Sequence, residues 1–415
     1  MNQKHLPILP IVLLGFTFTS CGGKNFPSDE TASPNAGSSL SETRTLLSTA
    51  LASQLTKAGL SQSQAQLIIE KGKSAPTSSA LALTSDEILS EVKAFTSGAT
   101  DALNDIGTLP EGSSTKQFLK IIAGTNIKVM KDLKAKFPEL DLKRSVTAVT
   151  SAATENLDEA GFDATSLSAA LKEITASIAE NADDAGISTA ELKDVIEDSF
   201  EQMMLSFKKI EGCDKALFDD MIKEMSAGLM STVMSFSGFE SKDLKELATA
   251  VGRAAMKGAD DMGDIDEASM LEFAKAVNSG LLQGAGEDED FDKEFLGDVS
   301  AGASSGMVDA AGEDDEFDRE KLDELMAQAK LGAEEAAEEL KLDASTTEKL
   351  RMASESGSKE AAAEVPDYDA SALDTKIAEA ERLAKEEQAR LEAEKLASST
   401  STSTDAATAT VSAKP

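Results

Sequence analysis

Histidine occurs once in this sequence, at His5; tryptophan does not occur, and Tyr368 is the sole tyrosine. These scarcities exclude much chemistry. Beyond residue 5 no imidazole is available to activate a serine or cysteine nucleophile, or to supply the commonest zinc ligand. Aromatic residues make up 4% of the chain, which leaves little for a stacked platform under a sugar. No segment keeps up an apolar/polar alternation of period two, so a sheet is not expected. No Walker-type phosphate loop and no G-x-G-x-x-G is present. Gly302-Ala303-Ser304-Ser305-Gly306 spells G-x-S-x-G, but that motif needs a strand-to-helix elbow and a histidine partner. It reads as small residues at a close helix contact. Ser356-Gly357-Ser358-Lys359 spells S-x-x-K without the companion motifs of that chemistry.

What the chain does have is a repeat. Phe239, Ile265, Phe291 and Phe317 recur every 26 residues. An acid follows each of them: Glu240, Asp266, Asp292 and Asp318. Five residues after each large apolar residue stands another: Leu244, Met270, Leu296 and Leu322. This is a helix start, with the acid as N-cap and the two apolar residues as a hydrophobic staple. The register extends backwards through Cys213–Asp214–Phe218, Ile187–Ser188–Leu192 and Phe162–Asp163–Leu167. Leu83–Thr84–Ile88 has the same form, and Ser114 with Gln117 makes another capping box. Helix starts are therefore expected at Asp163, Ser188, Asp214, Glu240, Asp266, Asp292 and Asp318.

After each staple the apolar spacing stays helical. Leu244, Ala248, Val251, Ala255 and Ala259 form one stripe; Met270, Phe273, Val277, Leu281 and Ala285 form the next. A period of 26 holds one helix of roughly 18–20 residues and a short turn. The turns are expected at Gly258 to Gly263, Gly284 to Asp290 and Gly312 to Glu316. The fold class is all-α: an array or bundle of antiparallel helices with a one-helix repeat of about 26 residues. Small residues bury little area per helix, so each unit should need its neighbours in order to fold.

The ends differ from the body. Lys4 and His5 precede an apolar run from Ile8 to Phe18, followed by Thr19-Ser20-Cys21-Gly22. A short apolar run ending in small residues is a secretory signal rather than a membrane span. With cysteine at this place, residues 1–22 resemble the lipobox of bacterial lipoprotein precursors. That resemblance implies removal of residues 1–20 and a lipid on Cys21, hence attachment to a membrane. The alternative is an ordinary signal peptide cut elsewhere. Gly22, in place of Asp, is similar to lipoproteins sorted to the outer membrane in enteric bacteria. With Cys21 lipidated, Cys213 would have no disulfide partner and would serve as a small core residue.

Residues 21–40 then read as a flexible tether, 41–150 as an N-terminal helical region, and 151–365 as the acidic repeats. Residues 366–397 read as a charged helix set apart by Val365-Pro366-Asp367. Ile377, Ala384 and Leu391 give it a thin apolar seam that could dock a partner. Residues 398–415 read as a disordered tail. Lys116 to Arg144 is a basic island that reads as a solvated helix face docking onto the acidic part of its own chain, with phospholipid or another anionic surface as the alternative.

Formal charge is −35, and it is concentrated late: Asp260 to Glu324 holds 22 acids against Lys275, Lys293, Arg319 and Lys321. Such a surface repels nucleic acid and steers a basic partner. Asp183 to Glu191 resembles the end of an EF-hand loop. Gly186 is displaced by one, however, and Ala182 fills a ligand place. Asp243, Ser269, Phe295 and Lys321 stand where the other repeats would need glutamate, so a calcium hand is set aside. The expected function is therefore a lipid-anchored helical protein of the cell envelope, placed in the outer membrane. It would act as a non-enzymatic interaction or structural element, bind a basic macromolecular partner, and need no cofactor and no metal. Two alternatives stand beside it. One is a surface protein responsive to divalent cations at Asp260–Asp261, Glu287–Asp290 and Glu313–Glu316. The other is a glycan hydrolase working through two carboxylates about 5–10 Å apart.

Overall fold

The computed structural model describes residues 36–77, 84–207, 210, 215–233, 240–263, 265–287, 291–371, 373–386, 389–390 and 393. Cys21, Cys213, Asp214, Phe239 and the 398–415 tail lie outside them. Among the described residues there are helices and no strand. They are α1 (Ala36–Lys57), α2 (Gln62–Ser74), α3 (Ser85–Asp101), α4 (Thr115–Lys136), α5 (Leu142–Glu155), α6 (Ala164–Ala185) and α7 (Thr189–Ser206). There follow α8 (Lys215–Val233), α9 (Ser241–Met262), α10 (Glu267–Glu287), α11 (Leu296–Glu313), α12 (Leu322–Glu339) and α13 (Ala344–Ala362). A last helix, α14, spans 373–386. The fold is the all-α array read from the repeat.

The starts fall where the staples place them. The Asp163 carboxylate accepts from the Ser166 amide at 3.0 Å while Ser166 Oγ accepts from the Asp163 amide at 3.0 Å. Ser188 with Glu191 and Glu240 with Asp243 make the same reciprocal box, and the Asp266 carboxylate accepts from the Ser269 amide. Asp292 and Asp318 depart from this pattern. Each accepts from the amide two residues on, and three residues of 3₁₀ helix precede the α-helix. The third residue after these caps is Phe295 or Lys321, and neither can return a hydrogen bond to the cap. The first turn therefore tightens instead of closing a box.

The helix ends differ from expectation. α9 runs through Gly258 to Met262, α10 through Gly284 to Glu287, and α11 through Gly312 to Glu313. These glycines are not turn residues. A Cβ on Gly258 would stand 2.8 Å from Met204 Cβ, one on Gly284 would strike the Ala227 carbonyl, and one on Gly312 would strike Val365. Close packing, not chain reversal, requires glycine there. The reversal after α9 is made by Gly263, in the left-handed conformation at φ 67°.

The closest packing is between helices two apart in sequence. The odd helices from α3 to α13 form one layer; α1, α4, α6, α8, α10 and α12 form the other. Partners within a layer run parallel: Gly302 lies against the Lys245 carbonyl, and one turn later Gly306 lies against that of Thr249. The structural repeat is thus a helix pair, twice the 26-residue sequence period. One apolar core extends from Leu47 to Ile377, with both named stripes inside it.

Both flanks join this body. α1 begins at Ala36, inside the span expected to be tether, and buries Leu47, Leu51 and Leu55. Helix propagates outward from that anchor through residues that tolerate it. Lys120, Lys128 and Lys143 of the basic island pair with Glu180, Asp184 and Asp198. α14 does not stand apart. Its Leu373, Ile377 and Ala380 are buried, and Val365 of the supposed spacer packs over Gly312. Glu381 meets Lys330 of α12 at 3.1 Å, and Lys385 meets Glu334 at 2.7 Å. α14 therefore takes the place of the next helix in the α12 layer. Its exposed side carries the charged residues Glu379, Arg382 and Glu386, with Leu383 exposed among them.

Candidate functional site

Two-layer stacking sorts the acids onto two edges. At the C-terminal ends of the even helices, carboxylates are neutralised by lysines from other helices. Glu287 meets Lys172 at 3.0 Å, Glu339 meets Lys223 at 3.0 Å, and Asp184 meets Lys128 at 2.8 Å. Burial works against the Lys223 ammonium, but Glu335 and Glu339 together hold it above its ordinary pKa.

The C-terminal ends of the odd helices are different. Glu201 near the end of α7, Asp260 and Asp261 in the last turn of α9, and Asp314 and Glu316 after α11 gather there. Bases nearby are already engaged: Arg253 bridges Asp309 and Glu313, and Lys257 faces Glu197 at 3.5 Å. Among the described residues no ion pair reaches Asp260, Asp261, Asp314 or Glu316. Burial, then the charges of Asp314, Asp261 and Glu316, push the Asp260 carboxyl above its ordinary range. Glu201 is raised by burial and then by Asp261. This edge is a strip of mutually repelling carboxylates.

A cavity of about 180 Å³ opens on that strip. Met256, Met270 and Phe317, all buried, give it an apolar lining; Asp260, Glu313 and Asp314 stand beside them. Met270 was legible in the sequence as a staple and stripe residue and Phe317 as a staple residue, while Met256 lies off the stripe named for its helix. No local spacing showed that the three share one space with the acids.

The other sequence candidates fall as follows. Cys21 lies outside the described residues, as do residues 288–290 of the second acidic turn. Among the described residues no three His, Cys, Asp or Glu side chains come together as a metal-holding group. Ser304 of the G-x-S-x-G match is fully buried, donates to the Ser300 carbonyl at 2.8 Å and lies 2.7 Å from Ser354 Oγ. It has no base and no access. No described helix is long and apolar enough to cross a membrane. No family model matches this sequence, and no curated protein matches it.

Proposed function

We propose that this chain is a lipid-anchored, non-enzymatic protein of a bacterial cell envelope, tethered to the outer membrane through Cys21. Its helical array presents an acidic edge to a basic macromolecular partner. The observation that carries the reading is the contrast between the two edges. Lysines satisfy the acids of one, whereas Glu201, Asp260, Asp261, Asp314 and Glu316 repel one another on the other. Carboxylates held in that way are relieved by an incoming cation, and charge of one sign steers its approach. A rigid stack supports such a strip over a long surface.

The cation-responsive alternative would use the same acidic turns, of which residues 288–290 lie outside the described residues. The hydrolase alternative has a candidate pair in Asp260 and Asp314.

The anchor is tested by labelled fatty acid, which should enter the wild-type protein and not Cys21→Ala. Equal labelling removes the lipid from the proposal. The edge is tested with polylysine at rising salt. Binding should weaken steadily with salt and fall at least tenfold when Asp260, Asp261, Asp314 and Glu316 are changed to their amides. Glu287→Gln with Glu339→Gln, on the opposite edge, should change it little. Equal losses from both sets would leave only nonspecific charge.

A further inference from the structure

The cavity between α9, α10 and α11 has two chemically distinct parts. Inside it are the Met256 and Met270 side chains and the Phe317 ring, backed by Ala310 and Ala311. Its volume of about 180 Å³ is room for more than one water, and Lys257 also stands in its lining. Beside that lining are carboxylates of unequal status. Glu313 is held by Arg253 at 2.7 Å. Asp260 and Asp314 have no ion pair among the described residues, and the charge of Asp314 bears directly on Asp260.

That combination selects its guest. A bare metal ion would find too few oxygens and a wall of thioether and ring. An uncharged apolar group would leave the two carboxylates repelling each other. An anion would be repelled. A guanidinium can bridge two carboxylates, as Arg253 bridges Asp309 and Glu313, but its rigid planar fork fixes where the acids must stand, whereas the three N–H donors of an ammonium rotate to the spacing that Asp260 and Asp314 present. A primary ammonium on an aliphatic stem meets all the conditions. The methylenes lie against methionine and phenylalanine, and the rotating N–H donors serve both aspartates.

We propose that this cavity receives a lysine side chain presented by the basic partner, with Asp260 and Asp314 as the groups that hold its ammonium. This rests on the basic-partner reading above and adds a defined point of recognition to it. Arg253 is engaged by Asp309 and Glu313, Lys257 faces Glu197, and the Arg319 guanidinium donates to the backbone carbonyls of Ala311, Asp314 and Phe317, so none of these cations pairs with the Asp260 or Asp314 carboxylate. Because the walls come from three helices, the site exists only where consecutive pairs are stacked.

The test titrates the full chain, methyl-labelled at methionine, with the blocked tripeptide acetyl-Gly-Lys-Gly-amide. The Met256 and Met270 methyl signals should shift together. Acetyl-Gly-norleucine-Gly-amide has a similar aliphatic stem and no charge, and should bind at least tenfold more weakly. The arginine tripeptide should also bind more weakly than the lysine one. Asp260→Asn with Asp314→Asn should weaken lysine binding at least tenfold, with circular dichroism unchanged and Met methyl dispersion retained. Ala310→Met, which fills the cavity, should block it as well; should that variant unfold, the aspartate pair still decides. Norleucine binding equal to lysine, or an unaffected aspartate variant, overturns the proposal. Polylysine bound by the wild type without any shift at Met256 or Met270 also overturns it, while leaving the basic-partner reading in place. Loss of polylysine binding as well would remove both.

Discussion

Gly280 of α10 lies directly against the backbone of Lys223 in α8; a Cβ at Gly280 would collide with the Lys223 carbonyl, 2.9 Å from its carbon. The same relationship joins Gly228 to Lys172 and Gly332 to Lys275, at steps of one helix pair. The lysines then reach past the intervening helix. Lys172 of α6 meets Glu287 of α10, and Lys223 of α8 meets Glu339 of α12. At an ordinary interaxial spacing of 8–10 Å, helices two places apart in a layer would stand about 16–20 Å from each other. Glycine in the middle helix brings the layer close enough for the bridge to form.

Glycine substitutions should therefore split by position. Gly280→Ala raises helix propensity by about 1 kcal/mol but forces α8 and α10 apart, at a cost of roughly 1–3 kcal/mol or more. A lower melting temperature is the expected net result. Gly297, near the start of α11, meets only Ala353 Cβ at 3.7 Å, so Gly297→Ala should stabilise by about 0.5–1 kcal/mol. Thermal unfolding of both variants checks the pair. Equal shifts of one sign would mean that packing is not what requires glycine at Gly280.

This is also where the sequence stops being legible. Staples and capping boxes are local, spanning six residues, so Asp163, Ser188, Glu240 and Asp266 declare their helices without help. The partner of each helix lies about 50 residues away. Its signature is glycine inside a helix, and Gly258, Gly284 and Gly312 looked like turns because they stand next to acidic loops. Acid counts likewise showed an excess of charge but not its sorting. Only pairing in space reveals that Lys172 and Lys223 neutralise one edge while Arg253 and Lys257 leave the other unrelieved. α14 was misplaced for a related reason. Its seam is thin because Glu381 supplies much of its docking through Lys330 of α12 and Arg351 of α13, and Lys385 adds a contact to Glu334 of α12.

α14 should behave as the closing helix of the array. Ile377 is 1% exposed, and Ile377→Ala should cost about 2–5 kcal/mol locally. Hydrogen exchange should accelerate across 373–386 first and in α12 and α13 next, with α4 to α6 unaffected. Unchanged exchange in 373–386 would show that the helix is not held by this contact.

Two carboxylates should shift stability in opposite directions. Glu335 is half-buried between Lys223 and Lys275; desolvation opposes its charge, but the two ammonium groups hold its pKa below the ordinary range. Its stabilisation is present above the ordinary carboxylate pKa and is lost as pH falls through the lowered one. Glu335→Gln should therefore cost about 1–3 kcal/mol at neutral pH and nothing once the wild-type group is protonated. Asp260 is raised, so its charge destabilises the fold above the raised pKa, and that penalty disappears as pH falls through it. Asp260→Asn should then stabilise at neutral pH, by on the order of a few tenths of a kcal/mol because the group is solvent-screened. The gain should vanish in acid. Denaturant melts of both variants from pH 3 to pH 7 measure the two curves, and curves of the same sign would contradict the ion pairing on the two edges.

Salt separates a repelling edge from a cation site. If the carboxylates near Asp260 act as a strip of like charge, any salt stabilises by screening, over a Debye length of about 10 Å at 0.1 M. If they formed a specific site, calcium bound only by the folded chain would stabilise further, as the logarithm of its concentration over its dissociation constant. Among the described residues the acids do not converge on a common point as a three-ligand group. Calcium chloride and sodium chloride at matched ionic strength should therefore raise the melting temperature by nearly the same amount. The amide variant of Asp260, Asp261, Asp314 and Glu316 should start higher and respond less to either salt, because the repulsion that salt relieves has already been removed. A calcium increment well above the sodium one, lost in that variant, would replace screening with a true cation site and reverse the order of the two readings of this edge.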